Sequence, residues 1–183
     1  MKKALNLVVS AVLVFGTMGT AFADHGDRNA RFEGRLNEQV RHELVMIPQV
    51  TVFDNLAYSI DGGTVTLSGQ VRNAVIKDAA AKSVKHIDGV ERVINRIEIL
   101  PASFNDDRIR RQVARALFHD PRLFNYAIQP VSPIRIIVKN GHVDLEGVVR
   151  TQTDSDDAFI RANGVPGVFS VENNLQVELP KKG

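Results

Sequence analysis

The sequence predicts an α+β protein of two tandem helix–strand–strand–helix–strand units, each a small three-stranded mixed sheet packed on two helices. Two observations carry this. First, Gly63-Thr-Val-Thr-Leu-Ser-Gly-Gln-Val-Arg72 returns as Gly141-His-Val-Asp-Leu-Glu-Gly-Val-Val-Arg150, with Gly63/Gly141, Val65/Val143, Leu67/Leu145, Gly69/Gly147, Val71/Val149 and Arg72/Arg150 identical at one constant offset. Second, a helical pattern precedes each copy, and a helix-then-strand pattern follows it at matching spacing. Inside each copy apolar and polar residues alternate, the period of a strand with one buried face. Asp61-Gly62-Gly63 and Asn140-Gly141 lie just ahead, and such residues take positive φ at little steric cost, so each copy is the second strand of a hairpin.

The chain begins with export chemistry. Lys2 and Lys3 are followed by an apolar run from Leu5 to Phe15 and by Ala21-Phe22-Ala23, so residues 1–23 are expected to be a signal peptide cleaved after Ala23, which implies a periplasmic protein. Gly16, Thr17, Gly19 and Thr20 keep the run too short for a membrane anchor. There is no cysteine, hence neither a disulfide framework nor a lipid-attachment cysteine. Lys2 and Lys3 alone account for the formal charge of +2, so local segregation of charge matters more than the net balance.

The first unit is placed at residues 31–100. After a polar lead-in at 24–30, Phe32, Leu36, Val40, Leu44 and Ile47 recur at helical steps until Pro48 ends the pattern. A first strand follows, either at Thr51–Phe53 or at Leu56–Ile60. Beyond the repeated strand, Asn73 is a cap for a second helix carrying Ile76, Ala80 and Val84, which Asp88-Gly89 stops. Val90–Leu100 is expected as one strand with Val93, Asn95, Ile97 and Ile99 on a shared face. Pro101–Ser103 is a linker.

The second unit, residues 105–180, repeats the order. Asn105 or Asp106 caps a helix with Ile109, Val113, Ala116 and Leu117 on its core face, and Pro121 takes the place of Pro48. A short insertion surrounds Tyr126–Pro133, and Ile134–Val138 is the first strand. Thr153 is expected to cap the second helix, with Asp154, Asp156 and Asp157 at its positive end. Gly89, Val93 and Asn95 are matched by Gly167, Val171 and Asn173. Gly69, Gly89, Gly147 and Gly167 are therefore read as structural. In each unit the helix between the repeated strand and the last one is a crossover, expected to be right-handed, that makes those two strands parallel if they are neighbours.

Tandem copies of a helix, a Gly-x-Val-x-Leu-x-Gly-x-Val strand, a second helix, a Gly-Val step and a Val-x-Asn-x-(Ile/Leu) strand, behind a leader, resemble the BON family (bacterial OsmY and nodulation domains). The resemblance covers about residues 31–180. It implies a periplasmic, non-enzymatic module tied to envelope and osmotic stress and to phospholipid surfaces. Without an anchor cysteine, the chain is similar to the soluble, OsmY-like type.

Catalytic chemistry lacks its parts: there is no cysteine, no Gly-x-Ser-x-Gly elbow, and Ser68 is mid-strand without an evident base. His25, His42, His86, His119 and His142 show no metal-ligand spacing, and the three aspartates at 154–157 read as helix-start charge. No aromatic pair on a strand face or Gly-x-x-Gly clamp points to nucleic acid. No enzyme activity, cofactor, metal, nucleic acid or small-molecule substrate is expected.

The one candidate site lies on the first helix of the second unit. Arg108, Arg111, Arg115 and His119 fall away from its core face, with Phe118 among them, a composition suited to the headgroup level of an anionic membrane. The equivalent positions of the first unit are Arg35, Glu38, His42 and Val45. The alternative is that Phe118 packs against the other unit or the 126–133 loop. Two functions are therefore expected: reversible association with anionic phospholipid surfaces, or chaperone-like or structural binding of stressed envelope proteins through sheet edges or inter-unit grooves.

Overall fold

A computed structural model describes residues 23–178, with side chains from Phe32 onward. The leader therefore lies outside the described residues except for Ala23. Helix α1 (Ala23–Val45) already includes residues 24–30, so the expected loose lead-in is helical; adding residues to a formed helix gains one hydrogen bond each, without a second nucleation cost. Leu36, Val40 and Leu44 are its buried stripe, as the spacing required.

Strand β1 (Asn55–Asp61) is the later of the two expected placements, and it pairs antiparallel with β2 (Thr64–Val71). Helix α2 (Ala74–Lys85) begins at Asn73, whose side chain accepts the Ile76 N–H at 3.1 Å. The last strand is split into β3 (Arg92–Asn95) and β4 (Glu98–Ile99), both parallel to β2. At the break, Asn95 Oδ1 takes the Ile97 N–H at 3.1 Å and its Nδ2 donates to Lys77 O at 3.0 Å. Ile97 stays in the core, but Ile99, expected on the same buried face, is 44 % exposed.

The second unit is α3 (Phe104–Phe118), α4 (Phe124–Ala127, inside the insertion), β5 (Ile134–Lys139), β6 (His142–Val149), α5 (Gln152–Asn163) and β7 (Ser170–Val177). Its sheet order is β5-β6-β7, with β5 antiparallel and β7 parallel to β6. Asn173 repeats the bonds of Asn95, to Leu175 N–H and to Ser155 O, without dividing β7. Both expected helix caps move by a few residues. Ser103, not Asn105 or Asp106, caps α3, and Thr151, not Thr153, caps α5; each has extended backbone and accepts the N–H three residues on, which is what a cap requires.

Each unit has its own core, Leu36, Val65, Leu67, Ile76 and Ile97 in the first and Ile109, Leu117, Ile136, Leu145 and Ala158 in the second. They are joined by the turn ahead of β1. Phe53 packs on the second unit's core, Ile136 N–H donates to Val52 O at 2.7 Å, and Arg135 donates to Thr51 O at 3.0 Å. Buried Asp54 shapes that turn, accepting from Thr51 N–H, Thr51 Oγ1 and Arg72 N–H. Arg72 in turn lies 5.4 Å from the Phe53 ring. Lys139 and Glu98 pair across the units at 2.6 Å.

Gly69 and Gly147 have φ of +105° and +120°, and a Cβ on either would collide with a backbone carbonyl, that of Asn55 or Pro133. Gly69→Val and Gly147→Val are each expected to cost at least about 1–3 kcal/mol from backbone strain alone and to lower the melting temperature. Because Phe53, on the chain just ahead of β1, packs on the second unit's core, calorimetry should show one shared transition in the unmodified chain. Phe53→Ala should split it in two.

Candidate functional site

Ser103 starts α3 directly after the linker and sets Phe104 at its first position. One turn in, the buried Asp106 carboxylate accepts the Asn140 N–H at 2.9 Å and the Gly141 N–H at 2.8 Å. These two residues form the β5–β6 turn, with φ of +53° and +81°, so a charge-assisted clamp fixes the hairpin tip against the start of α3. Phe169 lies over Gly141, where a Cβ would come within 2.5 Å of its ring. His142 stands beside it, ring centroids 5.9 Å apart, and its Nδ1 is 2.7 Å from Ser170 Oγ.

Phe169 thus covers the turn, Phe104 begins the helix clamped to it, and both face solvent: Phe104 is 97 % and Phe169 75 % exposed. Arg108 completes this end of the unit. It is held by Asn105 Oδ1 at 2.8 Å, and its guanidinium lies over Gly167.

The expected arginine stripe is exposed, but its parts are not all together. Arg108 belongs to the aromatic end. Arg111 follows along α3, and Arg115 borders the groove between α3 and α5 with Gln112, Ala116 and Ile160. His119 is at the far end of the helix, 3.0 Å from Arg115 O. Phe118 is a correction. Expected away from the core, it is half-buried and packs on the second unit's core, which also receives Phe53. Arg110, which the helical wheel left unremarked, is buried and donates to Val138 O.

Phe104 and Phe169 were missed, although the repeat marks them. Phe169 occupies the position of Glu91, which covers Gly63 as Phe169 covers Gly141, and Phe104 that of Arg31. Where the first unit has charges, the second has rings.

The face of the second sheet that its helices leave open carries both signs of charge, with Arg135 and Lys139 on β5 and acids on β6 and β7. Asp144 and Glu172 are partners across β6 and β7, with Glu146 next in line. Partial burial, then the neighbouring Glu172 carboxylate, pushes the Asp144 carboxyl up from its ordinary value, while His142 and Lys139 oppose the shift. Among the described residues no His, Asp and Glu groups converge as a metal site, and no helix is long and apolar enough to cross a membrane.

The BON domain family pattern matches residues 33–101 and 105–178. This chain belongs to the BON domain family. A BON relative, the outer membrane lipoprotein DolP of Haemophilus influenzae, is 33% identical over 114 residues, 60% of this chain and 55% of its own length. The osmotically-inducible protein Y of Escherichia coli is 28% identical over 131 residues, 68% of this chain and 62% of its own. The chain thus spans less than two thirds of either relative. CdsD, a structural protein of the type III secretion system of Chlamydia trachomatis, aligns over 79% of this chain and 92% of its own at 13% identity with a TM-score of 0.30, too loose a match to support a comparison.

A raised Asp144 pKa gives a signed expectation. The folded state holds that proton more tightly than the unfolded chain, so Asp144 lowers stability as pH rises through its unfolded value, about 3.9, and the folded value above it. Asp144→Asn should therefore raise the melting temperature at neutral pH, and thermal melts below that window should show the gain gone.

Proposed function

We propose that this BON protein is a non-enzymatic module of the bacterial envelope that docks reversibly on anionic phospholipid surfaces through the α3–hairpin end of its second unit. The observation that carries this is two solvent-facing rings, Phe104 at the start of α3 and Phe169 over the hairpin turn that Asp106 clamps to that helix, with Arg108 one turn beyond Phe104. Rings held at the tip of a rigid element enter the headgroup layer with little ordering cost, and Arg108, Arg111 and Arg115 supply the attraction that precedes entry. An envelope location and a role in osmotic stress accord with the names of the two relatives, an outer membrane lipoprotein and an osmotically-inducible protein.

The magnitudes describe a reversible contact. Two phenylalanines contribute about 1.5–3 kcal/mol each and three arginines about 1 kcal/mol each, before the cost of immobilising the protein. The Phe118 ring, packed inward, is not part of the contact.

Flotation with vesicles containing phosphatidylglycerol tests the reading. Phe104→Ser with Phe169→Ser should weaken binding about 100-fold or more with unchanged melting, because both rings are exposed. Arg108→Glu with Arg111→Glu should weaken it mainly at low salt, where screening is least. Equal flotation of the phenylalanine variant and the unmodified chain would remove the proposal. Suppression of client aggregation without flotation would favour the protein-binding alternative.

A further inference from the structure

Each small sheet has two outer edges, and an unpaired edge invites another strand unless something blocks it. Three of the four edges are blocked. On β5, Ile136 N–H is bonded to Val52 O, Ile134 O accepts from Ser132 Oγ, and Val138 O accepts from the buried Arg110. The β3–β4 edge is broken at Asn95 and carries Arg92, Arg96 and Glu98. On β7, Asn173 takes up the Leu175 N–H, and Glu172 stands at mid-strand.

β1 has none of these devices. Its register with β2 runs without a bulge from Asn55 to Asp61, and it contains neither proline nor lysine. Among the described residues nothing beyond β2 bonds the backbone of Leu56–Ile60. The second unit docks at Val52 and Phe53 and β5 also approaches β1, but no backbone bond joins β5 to Leu56–Ile60.

The strand is also complementary to itself. Turned about Tyr58, Leu56 meets Ile60, Ala57 meets Ser59, and Asn55 meets Asp61, with no like charges opposed. Leu56, Tyr58 and Ile60 lie on the helix-covered face, partly buried, whereas Ala57 and Ser59 are exposed and small enough for close approach. The overlying helix follows the same symmetry. Tyr58 OH donates to Asn37, and exposed Glu33 and Arg41 share the Asn37 face of α1 one turn to either side. Two antiparallel copies of α1 centred there bring Glu33 of each toward Arg41 of the other.

We propose that this chain forms a two-fold dimer by antiparallel pairing of β1 with β1 of a second copy, joining the two first-unit sheets into one. The contact is isologous and closed, so it stops at two copies.

Sedimentation velocity on the leaderless chain should show a reversible monomer–dimer equilibrium as concentration rises. Ala57→Cys with Ser59→Cys, in a chain that has no other cysteine, should cross-link to a covalent dimer on oxidation. Ala57→Lys with Ser59→Lys places lysine against lysine across the two-fold and should leave a monomer with unchanged melting. Should that variant fail to fold, Glu33→Arg or Arg41→Glu alone should weaken dimerisation several-fold, and the two together should restore it. A chain that stays monomeric up to its solubility limit overturns the proposal, as does a foldable lysine variant that dimerises like the unmodified chain, or charge variants without effect.

Discussion

Both units depend on one backbone contact. In each, the second strand passes so close to the start of the first that a carbonyl occupies the space a side chain would need, and only glycine, at positive φ, fits there. That approach sets Ile97 and Leu175 alongside the glycines as register partners or near-partners of the bare backbone, so the last strand fills the space under the first two. The helices then cover what the three strands have defined. The identity of Gly69 and Gly147 in two otherwise diverged copies is thus a steric requirement.

Within that shared frame the units solve equal problems with different residues. The N–H at the end of the repeated strand, Arg72 in one and Arg150 in the other, needs a buried acceptor. Asp54 supplies it in the first unit, and Tyr126 OH, itself donating to Asp154, supplies it in the second. The choice has consequences. Asp54 bends residues 51–54 into the turn that places Phe53 on the neighbouring core, whereas the second unit uses an inserted helical turn and leaves Val131, the counterpart of Phe53, exposed. The same divergence operates at the other end, where Glu91 is replaced by Phe169 and a charged tip becomes an aromatic one.

The candidate site was half legible. The helical wheel of α3 separated the exposed arginines from Ile109, Val113 and Leu117 because one helix fixes the directions of its own side chains. It misplaced Phe118 because a wheel shows the face away from one core but not what else arrives there. It also could not group Phe104 with Phe169, which lie far apart in the second unit's sequence and belong to one end of the unit because Asp106 clamps the hairpin turn under Phe169 to the start of α3.

The sequence alone determined the two-unit α+β architecture, the parallel crossovers and most of each core. These follow from periodicity, turn residues and internal repetition, which are local properties or comparisons of the chain with itself. Only the tertiary structure decided where the last strand breaks, which residue caps α3 and α5, how Phe53 reaches the second unit's core, and which rings remain in water. The caps turn on local bonds, Ser103 with Asp106 and Thr151 with Asp154. The joining of the units and the placing of the hairpin tip turn on bonds between residues distant in sequence, Val52 with Ile136 and Asp106 with Gly141. Such contacts leave no periodic trace in the chain, because their energy depends on positions that exist only once the two sheets and their helices have packed.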